Sequence, residues 1–272
     1  MLNAQKTPIY NPGVPIHIVQ RGHSKEPVLF EDNDYQAYLD WLAEAATRYA
    51  CEIHAYGLMN NHIHLLITPS DKTSITRMMQ YIGRYYVPIL IRPTVPVVLY
   101  GKGATNLIDS EQYLLTCMRY IELNPVRAKM VRTPAQYRWS SYRHNGQGKD
   151  DGLITPHDLY SSLRKSKLSR ITAYKALFQS QIDKGILKVI RTAWQTGTPL
   201  GNDYFKEKIE KKLKCKVGQA RQGRPNKSDP TDSWASEFSD LFKYLITTLH
   251  QYIPSVSLGN GLSKKKLGVT NK

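Results

Sequence analysis

Residues 51–69 read CEIHAYGLMNNHIHLLITP, and this stretch decides the fold. From Cys51 to Met59 apolar and polar residues alternate, which predicts a strand. Asn60-Asn61 suits a tight turn, because Asn tolerates positive φ. His62 to Thr68 is then a returning strand, ended by Pro69. Residues two apart on a strand share a face. His62, His64 and Leu66 therefore share one face, and Ile63, Leu65 and Ile67 the other. Two imidazoles occupy positions where Ile or Val would pack better.

The flanks extend the pattern. PIHIVQRG (15–22) alternates and predicts a strand. In 32–50, Tyr35, Tyr38, Leu39, Leu42 and Ala46 recur at helical spacing, with Asp32 or Asn33 as cap. KTSITRMMQYIGRYYVPIL (72–90) predicts a helix up to Pro88. Residues 93–108 are ambiguous, with the apolar patch VPVVLYG between prolines and glycines. DSEQYLLTCMRYIELNP (109–125) predicts a helix capped by Asp109 or Ser110 and stopped by Pro125. Strand, helix, hairpin, helix, strand, helix is the order of an α+β fold: a ferredoxin-like βαββαβ domain with an antiparallel sheet and helices on one face.

The expected organisation is a catalytic domain over 1–145, a polar linker over 146–158 and a mainly helical basic region over 159–227. A tail over 228–272 has no assigned role. The chain of 272 residues carries net charge +16, with pI near 9.6. Residues 160–227 alone hold 17 Lys and Arg against 4 Asp and Glu. Such a field favours a polyanion, and nucleic acid is the commonest. No apolar run approaches the length of a membrane span. The N-terminal stretch lacks the apolar centre of a signal peptide. Three scattered cysteines form no pairable framework, so reduced thiols and a cytoplasmic location are expected.

An isolated His-x-His pair is either structural or ligating. Neutral imidazoles bind borderline divalent metals, and a zinc site needs more protein donors than two. Two histidines with an open remainder suit Mg²⁺ or Mn²⁺ at a phosphate. The helix TCMRYIELNPVRA (116–128) offers partners. Tyr120 and Asn124 are four apart and share a face. Either they pack and cap, or they supply a nucleophile and a further metal ligand.

Taken together, YGLMNNHIHLLITP, then about fifty residues later RYIELNPVRAKMV, then PAQYRWSSY, resemble the single-tyrosine HUH transposases. Within them the chain is most similar to the REP-associated tyrosine transposases. PGVPIHIVQRG and DNDYQAYLDWL match the opening strand and first helix of that family. The resemblance covers residues 8 to about 145 and continues more loosely through YKALF, IRTAWQTGTPLGNDYFKEKIEKKL and GRPNK. It implies a metal held by His62, His64 and Asn124, and Tyr120 as nucleophile. It also implies an activity: cutting and rejoining single-stranded DNA beside hairpin repeats through a covalent 5′-phosphotyrosine. The implied partner is single-stranded or hairpin DNA, and the implied assembly a monomer or homodimer.

Arg21, Arg84, Arg119 and Arg127 flank these elements as candidate phosphate contacts. Trp139 and Tyr142 are candidate base-stacking rings, with a core role as the alternative. Gly223-Arg224-Pro225 resembles a minor-groove hook, with Arg224 at its centre. The resemblance breaks at 93–106. There the family carries an aromatic, basic stretch and this chain reads PTVPVVLYGKGATN. A catalytically degenerate hairpin-binding protein is therefore the alternative. A metal phosphodiesterase with paired HxT or HxS elements needs a second element, which the sequence lacks.

Overall fold

The hairpin forms as the alternation predicts: β2, Cys51–Leu58, pairs antiparallel with β3, His62–Pro69. The computed structural model describes residues 10–22, 26–90, 104–214 and 216–217. All lie in one unit spanning 6–225. The turn differs from its expected geometry, because neither Asn60 nor Asn61 has positive φ. The loop closes through Met59 N–H to His62 O at 2.8 Å. Its carbonyls are held from outside: Asn60 O accepts from Val28 and Leu29, and Asn61 O from Gly22. Tertiary hydrogen bonds replace the mirror-image turn that a free hairpin prefers.

Two further strands complete the sheet. β1, Ile16–Arg21, lies antiparallel between β3 and β4, Ala104–Leu107. The order β2-β3-β1-β4 is the ferredoxin-like arrangement. Of the ambiguous stretch, only its end is a described strand, and residues 91–103 lie outside the described residues.

One face of the sheet carries α1, Asp32–Arg48, and α2, Ser74–Leu90. Their core unites Ile16, Ile18, Ile63, Leu65 and Ile67 with Tyr38, Leu42, Met78, Ile82 and Tyr86. Glu31, rather than Asp32 or Asn33, caps α1. The Asp34 carboxylate reaches back to accept from the N–H groups of Phe30 and Glu31, closing a capping box. α2 runs two residues past Pro88. Proline removes one backbone donor, and the buried stripe Ile75, Met78, Ile82, Tyr86 holds the helix regardless.

The second face is covered too. α3, Ser110–Glu122, lies there. So do α6, Asp158–Ser161, α7, Lys167–Ala176, and α8, Lys184–Thr196. Their core joins Ala55 and Leu66 of the sheet to Leu114, Met118, Ile121, Tyr174, Ile190 and Leu200. The helical character expected beyond 159 is present, and α9, Asp203–Leu213, follows. Residues 146–158 are anchored as well, with Ile154 bridged to Ile53. Pro125 does not simply stop α3. Leu123 is the C-cap, and a short helix α4, Asn124–Arg127, restarts with Pro125 in its first turn, where a missing N–H costs nothing. The short α5, Tyr142–Asn145, follows. Cys51 and Cys117 are buried and unbridged. No described helix is long and apolar enough to cross a membrane.

Candidate active site

Register places the histidines. Arg21 stands opposite His62, Val19 opposite His64, and His17 opposite Leu66. Directly opposed residues share a face, so His17, Val19 and Arg21 lie on the face of His62 and His64. α3 covers this face. It approaches β2 closely at Gly57, where a Cβ would sit 3.2 Å from the Ile121 carbonyl. Glycine thereby lets the helix settle low enough to bring the next residue back, Tyr120, over the imidazoles. The Tyr120 ring is edge-on to His64 at 5.8 Å and to His17 at 6.0 Å between centroids. The rings of His62 and His64 are 4.8 Å apart.

Hydrogen bonds fix the ring nitrogens. His62 Nδ1 lies 2.5 Å from Asn61 Oδ1. An amide oxygen only accepts, so Nδ1 carries the proton and Nε2 keeps its lone pair. That lone pair accepts from the Asn124 side-chain Nδ2 at 3.3 Å. His64 Nδ1 and His17 Nε2 share one proton across 2.9 Å. Burial holds all three rings neutral. It pushes His17 down to about 3 and His62 down to about 4, the latter helped by Arg21 and Arg127. His64 is held well below the ordinary histidine range, by burial first and then by the neighbouring imidazoles and arginines.

Neutral rings with free lone pairs are the form that binds metal. Among the described residues no cluster of three or more His, Cys, Asp or Glu is arranged around a metal position. An ion here would have His62, His64 and the Asn124 amide as its protein donors. Two nitrogens and one amide oxygen leave open positions for substrate oxygens and water. That set fits Mg²⁺ or Mn²⁺ better than a closed structural zinc site.

Tyr120 itself is 4 % exposed. The Arg127 guanidinium lies over its ring, 4.1 Å from the centroid. Arg127 also donates to the Tyr120 carbonyl at 2.9 Å, one of the carbonyls left open where α3 ends. The indole N–H of Trp194 on α8 donates to the Tyr120 hydroxyl at 3.4 Å, and that indole stands edge-on to His64 at 6.4 Å. Two residues on, Glu122 is fully buried and accepts from Ser141, Asn145 and Tyr174 at 2.7–2.8 Å. Burial raises its carboxyl to about 7 against those hydrogen bonds. This carboxylate ties the end of α3 to α5 and α7.

The structure thus brings together His62, His64, Tyr120, Asn124, Arg21 and Arg127. Arg119 is turned aside, donating to Ser180 O at 2.7 Å and covering Phe178. Arg84 is exposed on α2, in the opposite layer. Arg224 lies outside the described residues. Trp139 is stacked on Tyr35 and covered by Arg138, and Tyr142 packs on Phe178, so both rings belong to the interior. Sequence reasoning missed His17, Asn106, Glu122 and Trp194. His17 was legible as the polar member of the alternation in β1. The other three depend on contacts between elements distant in the chain.

Comparison with known proteins follows the same segment. Residues 12–94 match the family described as Transposase IS200 like. No curated protein matches the chain. One similar solved structure is a REP-associated tyrosine transposase bound to a REP hairpin. The likeness has a TM-score of 0.44 and 15 % identity, covering 58 % of this chain and 93 % of that one. Another is a candidate transposase from Deinococcus radiodurans R1, with a TM-score of 0.31 and 20 % identity, covering 45 % of this chain and 95 % of that one. The matched family segment contains β1, α1, the His62–His64 hairpin and α2, so over residues 12–94 this chain is similar to the IS200-like transposases.

Proposed function

We propose that the protein is a metal-dependent tyrosine transposase of the REP-associated kind, cleaving and rejoining single-stranded DNA beside hairpin repeats. The observation that carries this reading is the Tyr120 phenol standing over the His62–His64 pair, with the Asn124 amide 3.3 Å from His62. The paired imidazoles share one face of the sheet, and the nucleophile comes from another element on the same face.

The chemistry is a reversible transesterification. The Tyr120 hydroxyl loses its proton and its oxygen attacks a backbone phosphorus. The bond from phosphorus to the 3′ oxygen breaks, and that oxygen takes up a proton as a free 3′-OH. The 5′ phosphate stays on the tyrosine, and a later attack by a 3′-OH restores the diester without external energy. His62, His64 and Asn124 would hold a divalent ion, which would supply Lewis-acid polarisation of the phosphate oxygens. Trp194 holds the phenol oxygen in place. Arg127 keeps the ring oriented and, with Arg21, adds positive charge where the phosphate's negative charge develops. The basic region over 159–227, with Arg224 beyond the described residues, serves hairpin binding in this reading.

An adduct assay tests it. Labelled single-stranded hairpin DNA with flanking sequence is incubated with protein and Mn²⁺, then resolved on a denaturing gel. Label migrating with the protein, lost in Tyr120→Phe, in His64→Ala and with chelator, is the expected result. Free cleaved DNA from Tyr120→Phe would mean a hydrolase. Tight hairpin binding with no cleavage by the unaltered protein would mean a degenerate binder.

A further inference from the structure

β1 contributes a third imidazole to this face, and it is the most buried of the three. His17 is fully buried, and its Nε2 meets His64 Nδ1 at 2.9 Å, with the two rings stacked at 5.1 Å. Only one of these two nitrogens carries the shared proton, and the choice has consequences. If His17 holds it on Nε2, His64 accepts through Nδ1, and the neutral His64 ring carries its own proton on Nε2. The nitrogen facing Tyr120 and His62 then has no lone pair. If His64 holds it on Nδ1, His17 accepts, and His64 Nε2 is free to bind a cation.

A second observation bears on the choice between these states. Asn106 on β4 stands directly opposite His17. It is 2 % exposed. Both of its amide atoms, and His17 Nδ1, are buried without a partner among the described residues. Opposed residues on antiparallel strands have Cβ atoms about 4.5–5.5 Å apart; the two side chains make no direct hydrogen bond, and one water between them would join the amide oxygen to His17 Nδ1. An acceptor there keeps the His17 proton on Nδ1, because a buried N–H left unpaired is costly. His17 Nε2 is then the acceptor in the pair.

We infer that Asn106 and His17 form a positioning relay that fixes His64 as its Nδ1–H tautomer and so directs His64 Nε2 toward the divalent ion. The inference rests on the metal role proposed above for His62 and His64. His17 touches neither DNA nor ion in this account. It acts through His64, as the outer partner of a ligating histidine does, and losing such a partner typically weakens metal binding about 10- to 100-fold.

The test uses the full chain and two readouts that do not depend on activity. First, long-range ¹H–¹⁵N correlation of the histidine side chains, without metal, reports which ring nitrogen carries the proton. The expected result is Nδ1–H for both His64 and His17, with His64 assigned through His64→Ala. Nε2–H on His64 in the unaltered protein would overturn the inference even if no variant folds. Second, Mn²⁺ affinity is measured by electron paramagnetic resonance on the unaltered protein, His17→Phe, His17→Gln and Asn106→Leu. Circular dichroism confirms that each is folded. His17→Phe should bind Mn²⁺ about 10- to 100-fold more weakly. His17→Gln, whose amide oxygen can accept from Nδ1, should recover most of that loss, and Asn106→Leu should show a smaller weakening. A folded His17→Phe with unchanged affinity would overturn the relay. Failure of the unaltered protein to bind Mn²⁺ would instead overturn the metal reading itself, which His64→Ala checks separately.

Discussion

The indole N–H of Trp194 donates to the Tyr120 hydroxyl at 3.4 Å, across 74 residues of sequence. A helix from the basic second part of the chain therefore reaches the candidate nucleophile on the first. The hydrogen bond is long, and it gains most when the phenol oxygen becomes negative, because bonds to charged acceptors are stronger. Trp194→Phe keeps the ring and removes the donor. The expected outcome is about a 10-fold slower single-turnover adduct rate, corresponding to about 1.4 kcal/mol. Hairpin affinity should be unchanged, and an unchanged rate would remove Trp194 from the mechanism.

Arg127 joins the Tyr120 ring to its backbone carbonyl. Lysine cannot do both, because it lacks the planar fork. Arg127→Lys is expected to lose about 1–2 kcal/mol of stability, read as a shift in the urea midpoint. Adduct yield should fall further than this stability loss accounts for, since the phenol also loses its orientation. A variant with normal adduct yield would show that Arg127 serves folding alone.

Glu122 is the buried acceptor for three side chains on α5, α7 and the loop before α5. Glu122→Ala leaves those donors unpaired inside the protein, at about 3 kcal/mol or more in total. Glu122→Gln retains one acceptor oxygen and should cost less. Equilibrium denaturation of the pair measures the difference. Equal losses would mean that the cavity, not the hydrogen bonding, sets the cost.

His54 gives the acid sensitivity a named source. It sits at a bulge in β2, between Ile53 and Ala55. Its ring bonds the Thr155 carbonyl and the Thr68 hydroxyl, each at 2.8 Å. Burial pushes its pKa down to about 4, against the opposing pull of the Thr155 hydrogen bond. The folded state therefore resists protonation that the unfolded chain accepts near pH 6.5. The contribution is fully present above about pH 6.5 and is lost as pH falls toward 4, up to about 3 kcal/mol. His54→Gln should flatten this limb of the stability–pH curve, while His17, His62 and His64 still contribute to it. An unchanged slope between pH 4 and 6.5 would contradict the assignment.

The local periodicities were legible in the chain. The alternation in 51–69 gave both strands and the shared face of His62, His64 and Leu66. The helical spacing of 109–122 gave α3, which carries Tyr120. Caps and turns were less legible. Glu31 replaced Asp32 as cap because Asp34 reaches back to it. The Asn60-Asn61 turn took its shape from the 22–29 segment, which donates to both carbonyls. Such details depend on hydrogen bonds from elsewhere, and no local pattern contains them.

By itself the sequence determined the strand and helix order, the ferredoxin-like pattern and the candidates His62, His64, Tyr120 and Asn124. Side-chain period is a local property, and a single chain displays it. Only the tertiary structure decided which polar residues face inward. His17 read as the polar side of an alternating strand, yet α3 and the later helices cover that face and bury it completely. Arg119 and Arg127 looked equivalent in sequence, but one points at Ser180 and the other clasps Tyr120. Trp194 reaches the site because α8 packs beside β4 and β1, a contact whose cause lies in burial of Ile190 and Ala193 rather than in any motif. Burial and hydrogen-bond satisfaction are properties of the packed whole, and they are what turned a list of candidate residues into a site.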